Sequence, residues 1–267
     1  MIWIVSGASK GVGKTALSLE LKRVLPYSIY VKHGHGIPSP NKEKNFFRSY
    51  KSLKTFIIKK QREFKNIIIE SNEMALKKEG DVIIFIDTKD KTKKIRQDAG
   101  ILKKTAHIIL DPISGNYKCT KALEKLINDK KIIKKVESAI EIFVKSFKSK
   151  ILIPRFKLWF EYKGKTAFGP GLCQILESIK SEKSISSAAK ENNISYRHAW
   201  DIIKHAEENL GIKLVIGKKG GKKGGETILT KEGKDLLITY NKILSDLGYI
   251  CLRNHMEIKN DNTGISI

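Results

Sequence analysis

The sequence predicts an α/β fold: a parallel sheet covered by helices, followed by a smaller helical unit that carries a basic hairpin. Three observations predict it. Short continuous apolar runs, Ile2–Val5, Ile67–Ile69, Val82–Ile86 and Ile108–Leu110, alternate with helical patterns over the first half of the chain. Runs of that kind form strands buried on both faces of a parallel sheet. After about residue 149 the pattern changes to two extended segments and three short helices, and a tip of four lysines and four glycines, 218–225, then stands between the apolar segments Leu214–Ile216 and Thr227–Leu229.

The elements follow in order. Ile2–Val5 is a buried strand that enters a glycine loop. Lys14 to Val24 is a helix, because Leu17, Leu21 and Val24 recur at helical spacing. Ser28–Val31 is a strand, followed by the loop His33–Asn41 with two prolines. Phe46 to Phe64 reads as one long basic helix. The next three strands end in Glu70, Asp87 and Asp111, with helices at about 92–104 and 120–145, so about five strands are expected. A basic stretch ending at Pro154 puts the domain boundary near 149, giving 1–149 and 150–267. Ile151–Tyr162 and Lys165–Phe168 are extended around a Lys163-Gly164 turn. Helices follow at Pro170–Ile179, Ile185–Lys190 and Tyr196–Asn209, with Ser184 and Ser195 as N-caps and Gly211 as a stop. Thr230 caps a last helix running to about Leu247, and 241–267 reads as a helix end and a polar tail.

Composition narrows the classes. The 267 residues leave room for two cores, and 40% apolar content is a globular value. No apolar run approaches the roughly 18 residues of a membrane span, so a cytoplasmic protein without a membrane partner is expected. Cys119, Cys173 and Cys251 form neither a disulfide framework nor a CxxC site and read as reduced thiols. The net charge of +24 favours polyanions. It does not locate the surface, because residues 1–150 carry 33 Lys and Arg against 15 Asp and Glu, and residues 151–267 carry 19 against 13. The local cluster at 218–223 is the more informative.

The loop Ser6-Gly7-Ala8-Ser9-Lys10-Gly11-Val12-Gly13-Lys14-Thr15 leaves a strand and opens a helix. Such a junction makes a nest of backbone N–H groups for a polyphosphate, the P-loop arrangement. The residues expected on the nucleotide are Gly7, Ser9, Lys10, Gly11, Val12, Gly13, Lys14, Thr15 and Ala16. Lys14 would lie between the β- and γ-phosphates and the Thr15 hydroxyl on Mg²⁺. The spacing departs from the usual one, since Ala8 stands where the first glycine belongs. Glu70 is preferred to Asp87 as the carboxylate that holds Mg²⁺ through water, while Asp111 reads as a solvated strand end. Thr88-Lys89-Asp90 lacks the residue that a guanine-reading motif has between lysine and aspartate, so ATP and GTP both stay open. No water-activating residue stands out, so the loop argues for binding and makes no case for hydrolysis. His33 and His35 at i, i+2 could share a metal or an anion, or belong to an ordinary polar loop. The loop together with Lys32-His33-Gly34-His35 resembles the MobB family, nucleotide-binding P-loop proteins linked to assembly of the molybdopterin guanine dinucleotide cofactor. The resemblance covers 1–36 and, in outline, 37–110. It implies Lys14 and Thr15 as phosphate and metal contacts, and extends to the histidines.

In the second half, two short helices, a basic hairpin and a further helix have the layout of a winged helix-turn-helix. One helix of that unit enters the major groove and the wing lies on the backbone. On Tyr196–Asn209, Ala199, Ile203, Ala206 and Leu210 form the core stripe, with Arg197 and Lys204 opposite. Tyr196 and Trp200 lie on a flank, where Trp200 could equally pack between helices or at a subunit contact. Ser195, Tyr196, Arg197 and Lys204 are therefore the helix candidates for DNA, with Arg197 able to reach a guanine. Lys218, Lys219, Lys222 and Lys223 are the wing candidates. Phe168-Gly169-Pro170-Gly171, Ser184-Ile185-Ser186-Ser187-Ala188-Ala189, Ser195-Tyr196-Arg197-His198-Ala199-Trp200, the wing, and Leu229-Thr230-Lys231-Glu232-Gly233 occur in that order. They resemble the N-terminal DNA-binding domain of ModE-type molybdate regulators, related to LysR-type winged helices. The resemblance implies a homodimer on a palindromic duplex operator. ModE-type regulators continue into molybdate-binding domains after the winged helix. Here only 241–267 follow, so the upstream unit is expected to take the sensor's place.

Three functions follow as expectations. The first is a transcriptional regulator of molybdenum or tungsten uptake or cofactor genes. Its first domain would bind Mg²⁺ with ATP or GTP, or a nucleotide-bearing cofactor, with molybdate or tungstate as a further ligand. The second is a GTPase or ATPase adaptor of molybdopterin guanine dinucleotide synthesis with an appended DNA-binding domain. The third is a DNA-organising ATPase of the partitioning type. It fits less well, because Ser9 stands at the aligned lysine position and Lys10 is one place off.

Overall fold

The computed structural model describes residues 1–34, 45–90, 92–115, 119–218 and 226–259. Two compact units emerge: Met1–Arg155 together with Ser245–Ile267, and Phe156–Leu244.

The first unit is built on β1 (Ile2–Gly7), α1 (Lys14–Val24), β2 (Ser28–His33), β3 (Phe46–Phe47), α2 (Tyr50–Lys60), β4 (Asn66–Glu70), α3 (Asn72–Leu76), β5 (Val82–Ile86), α4 (Ala99–Thr105), β6 (Ile108–Leu110), α5 (Thr120–Leu126) and α6 (Lys130–Lys145). Its sheet has the order β3-β2-β4-β1-β5-β6 with every pairing parallel. Alternation along β1 divides the core. Trp3 and Val5 pack with α1, α5 and α6 on one face, and Ile4 packs with Leu53, Ile57, Met74 and Leu102 of α2, α3 and α4 on the other. This two-sided burial is what the continuous apolar strands demand.

Four expectations need correction. Phe46–Phe64 is not one helix: Phe46 and Phe47 pair with Lys32 and His33 of β2, and the helix begins after Ser49, whose hydroxyl accepts from the Ser52 N–H. The 92–104 pattern is helical only from Ala99, because the Arg96 N–H is used on the Ala8 carbonyl at 2.9 Å and the Arg96 side chain pairs with Asp98. The 120–145 pattern divides, since Asp129 caps a new helix by accepting from the N–H groups of Lys131 and Ile132. The stretch after Leu247 is not only a tail. The last helix, α10 (Lys231–Arg253), extends further than expected, and β12 (Met256–Lys259) pairs antiparallel with β7 (Ser149–Leu152).

That returning segment is firmly held within the first unit. The Ser245 hydroxyl donates to the Val24 carbonyl at 2.6 Å, and the largely buried Lys135 ammonium donates to Ser245 and Asp246. Gly248 faces the Arg23 carbonyl so closely that a Cβ would come within 2.5 Å of it.

The second unit comprises β8 (Phe160–Tyr162), β9 (Lys165–Phe168), α7 (Pro170–Glu182), α8 (Ile185–Glu191), α9 (Tyr196–Leu210), β10 (Val215–Lys218), β11 (Glu226–Leu229) and the first part of α10. Lys163 and Gly164 both take positive φ in the turn between β8 and β9, as a tight hairpin requires. Phe168, Leu172, Leu176, Ile179, Ala188, Ala199, Ile203, Leu214, Leu237 and Tyr240 form its core. The expected caps are in place: Ser184 and Ser195 accept from Ser187 and His198 N–H groups, Gly211 closes α9 at φ 68°, and Thr230 accepts from Gly233. Cys119 and Cys173 are buried and Cys251 partly so; burial lifts the Cys119 thiol to about 11, far from a thiolate at neutral pH.

Candidate functional site

The loop between β1 and α1 is tightly constrained. Gly11 and Gly13 take φ of 75° and 95°, values that only glycine adopts without strain. Gly13 also lies under Phe143, where a Cβ would come within 2.6 Å. The Ala8 N–H donates to Ile86 at 2.9 Å. Alanine is accommodated at this position, buried and without a positive φ. The Lys14 ammonium folds back over the loop and donates to the Ser9 carbonyl at 3.1 Å. Burial lowers its pKa; Glu70 opposes that shift, and Arg96 and Lys32 add to it. Ser9 and Val12 are buried, Lys10, Gly11 and Ala16 are exposed, and Gly7 is held by its neighbours.

Thr15 and Glu70 come together, with the hydroxyl donating to the carboxylate at 2.7 Å. Tyr30 donates to the same oxygen at 2.8 Å. A hydroxyl and a buried carboxylate are hard oxygen donors of the kind Mg²⁺ takes, usually beside water and phosphate oxygens. Asp87 is engaged elsewhere, at 2.6 Å from Lys103. Asp111 is not a solvated strand end: it is buried, pairs with Lys89 at 3.3 Å and accepts from Ser114, because β6 ends beneath the following turn. Among the described residues, no group of three or more His, Cys, Asp or Glu side chains could hold a metal by itself. His33 bonds through Nδ1 to the Ser71 hydroxyl at 3.0 Å and lies 3.8 Å from Glu73. His35 falls outside the described residues.

Sequence reasoning missed three supports of this loop. Asn72 clamps Gly7 from both sides, its amide accepting from the Gly7 N–H and donating to the Gly7 carbonyl, each at 3.2 Å. Lys93 donates to the Gly11 carbonyl at 3.1 Å, and the Arg96 N–H meets Ala8. All are contacts between residues distant in sequence, which no local pattern encodes.

In the second unit, α9 presents the exposed residues Tyr196, Arg197, Trp200 and Lys204 along one side, opposite buried Ala199, Ile203 and Ala206. Trp200 is 43% exposed, so it does not pack between helices of this chain. Ser195 spends its hydroxyl on the cap, and Lys204 lies 3.7 Å from Glu208, a weak exposed pair. Lys218 ends β10 opposite Glu226. Lys219, Lys222 and Lys223 fall outside the described residues.

Glu207 is the missed residue here. It lies on the buried side of α9, where its carboxylate accepts from the N–H groups of Leu214 and Val215 and from Lys213 at 2.6 Å. It thereby joins the exposed helix to the start of the hairpin. The hairpin is tied a second time where the Thr227 N–H donates to the Lys183 carbonyl at 2.8 Å. Burial works to raise the Glu207 pKa, but the bonds from Lys213, Leu214 and Val215 outweigh it and hold the carboxyl below its ordinary 4.5. A depressed carboxyl contributes stability that is present above the unfolded value and lost as pH falls through the folded one. Glu207→Gln is therefore expected to flatten the acid limb of the second unit's stability below about pH 4.5, read by thermal melts across pH. An unchanged acid limb would contradict this role.

No family model matches the chain. Several known proteins match part of it. The chain is 38% identical over 69 residues to the molybdenum-pterin-binding protein MopB of Rhodobacter capsulatus, covering 26% of each chain. It is 36% identical over 78 residues to the molybdenum transport protein ModE of Azotobacter vinelandii, covering 29% of each. It is 38% identical over 72 residues to the DNA-binding transcriptional dual regulator ModE of Escherichia coli K12, covering 27% of this chain and 28% of that one. The similarity thus spans little more than a quarter of these relatives' length.

Proposed function

We propose that the protein is a DNA-binding transcriptional regulator of molybdenum or tungsten uptake or cofactor genes, and that its first unit binds a nucleotide. The observation that carries the DNA reading is the α9 face. Tyr196, Arg197 and Lys204 are exposed on a helix whose opposite side is core, and Glu207 fixes that helix to the hairpin leading into the lysine tip. The helix reads the major groove as a winged helix-turn-helix, and Lys218, Lys219, Lys222 and Lys223 rest on the backbone. The relatives' names, a molybdenum transport protein and a DNA-binding transcriptional dual regulator, support this reading. Their matched lengths are close to that of the span Gly169–Tyr240. A palindromic operator and a homodimer belong to the same proposal, as does the division into a nucleotide-binding and a DNA-binding domain.

Changing the four lysines to alanine is expected to weaken binding to all duplexes alike and to lower the salt slope by up to about 0.9 per lost phosphate contact. Arg197→Ala is expected to lower discrimination at one base pair, by about 1–3 kcal/mol. Fluorescence anisotropy on defined duplexes across a salt series separates the two effects. Loss of sequence preference from the lysine changes, with the salt slope intact, would contradict the assignment.

For the first unit, Gly7 and Ser9 to Ala16 would cradle the phosphates of ATP or GTP, Lys14 would lie between the β- and γ-phosphates, and Thr15, with Glu70 through water, would hold Mg²⁺. The constrained glycines, the covering Lys14 and the 2.7 Å Thr15–Glu70 bond support it. The ion supplies charge neutralisation to the phosphates; the chain's own groups bind and orient them. The same features support a second reading, an adaptor of molybdopterin guanine dinucleotide synthesis. Steady nucleotide turnover by the full chain, unchanged by DNA, would favour it. Operator affinity that shifts with ATP, GTP, molybdate or tungstate favours the regulator.

A further inference from the structure

We propose that the segment 92–98 is part of the nucleotide site: Arg96 and Lys93 leave Asp98 and Asp90 to contact the bound polyphosphate as second and third cations beside Lys14. This rests on the reading of the glycine loop as phosphate-binding. The segment is fastened over the loop at both ends. The Arg96 N–H donates to the Ala8 carbonyl at 2.9 Å, and the Lys93 ammonium donates to the Gly11 carbonyl at 3.1 Å. Ala8 and Gly11 bracket the loop's turn, so the Lys93 ammonium borders it directly, and the Arg96 backbone is anchored beside it with the guanidinium near enough for its charge to act on Lys14.

Each cation is kept by an aspartate close to it in sequence. The Arg96 guanidinium makes a bidentate pair with Asp98 at 2.8 and 2.9 Å, and Lys93 lies 3.9 Å from Asp90. Asp90 in turn accepts from the Thr92 N–H and hydroxyl. Carboxylate and phosphate compete for one guanidinium fork, because both accept two parallel N–H bonds. The Lys93–Asp90 pair is long and weak, and against the bidentate Arg96–Asp98 pair a polyphosphate offers more charge than one carboxylate. The exchange therefore favours the nucleotide, and the aspartates hold the cations ready without neutralising them permanently. Arg96 also helps to depress the Lys14 pKa, which fits two cations sharing one small site that gains when anionic phosphate enters it. The ligand class is a nucleoside di- or triphosphate; a monophosphate reaches fewer of these cations.

Opposite changes should have opposite effects. With full-length protein and Mg²⁺, Arg96→Ala is expected to weaken ATP and GTP binding by about 10- to 100-fold, the range of a charged hydrogen-bonded contact. Binding of AMP and GMP should change by less than about threefold. Asp98→Asn, which releases the guanidinium, is expected to tighten triphosphate binding. Isothermal titration of wild type, R96A, K93A, D98N and K14A reads all of these. If wild type binds triphosphate and R96A binds it equally well, the cationic segment is not part of the site. If wild type binds no nucleotide, the phosphate-loop reading itself fails. Equal losses for mono- and triphosphate in R96A, with a lowered melting temperature, would reduce Arg96 to a structural strut and overturn the proposal.

Discussion

Gly233→Ala is expected to lower the thermal stability of the second unit sharply and to remove sequence-selective DNA binding with it. A Cβ at Gly233 would lie 2.4 Å from the Leu214 carbonyl oxygen and 3.2 Å from its carbon. That backbone cannot step aside. The Leu214 carbonyl accepts from the Thr230 N–H at 3.0 Å and from its hydroxyl at 3.2 Å, while the Leu214 N–H donates to Glu207 at 2.8 Å. Leu214 is also fully buried in the unit's core. Relief must come from moving α10 away from the hairpin, which opens the packing of Leu229 and Leu237. Overpacking of this kind costs roughly 1–3 kcal/mol and can exceed that against backbone. In a unit of this size each kcal/mol lowers the melting temperature by about 4–8 °C. Gly217→Ala is the control, because no atom lies within 4 Å of its Cβ position. Equal melting curves for the two variants would show that the helix–hairpin contact is not a fixed one.

Lys14→Met is expected to have effects of opposite sign on stability and on ligand affinity. Burial lowers the Lys14 pKa from 10.5, Glu70 offsets part of this, and Arg96 and Lys32 reinforce it. A lysine whose folded pKa is depressed binds fewer protons folded than unfolded between the two values. Stability therefore rises with pH through that window, and at neutral pH the charged side chain costs folding energy. Methionine keeps the apolar stem and removes that cost. The ligand-free variant is expected to melt no lower than wild type. Its affinity for ATP or GTP should fall by about 10- to 100-fold or more, since a charged contact to phosphate is lost. At a nucleotide concentration 100 times the dissociation constant, wild type is expected to gain about 2.7 kcal/mol from binding. The variant should gain little of it. Differential scanning fluorimetry with and without nucleotide checks both signs. An equal upward shift in both proteins would place the nucleotide elsewhere.

The strands and caps were legible in sequence because they rest on short-range rules. Ile2–Val5, Val82–Ile86 and Ile108–Leu110 are apolar without interruption, and only a sheet buried on both faces accepts such runs. Ser184, Ser195, Gly211 and Thr230 act within three residues of their helix ends. What was not legible depends on partners far away. Phe46 and Phe47 look helical beside Leu53 and Ile57 and become a strand only because β2 offers its edge. Met256–Lys259 looks like a polar tail and pairs with a strand about a hundred residues earlier. Glu207 carried no assignment in the sequence, yet its position beside Ala206 and one turn after Ile203 was a signal that it faces the core stripe. Asn72, Lys93 and Arg96 contact the glycine loop across more than sixty residues, so nothing in the loop's own spacing announces them.

If α9 and the adjoining hairpin grip duplex DNA with sequence preference, purified protein should select particular duplexes from a mixture. The most direct measurement selects bound duplexes from a random library with the purified full chain at physiological ionic strength, and then compares the affinity of the winning duplex with that of random DNA. The expected result is a recovered motif with two-fold symmetry, bound about a thousandfold or more tightly than random duplex. Arg197→Ala is expected to relax the motif at one position in each half-site. A library that emerges unenriched, with affinity set by salt alone, would contradict it.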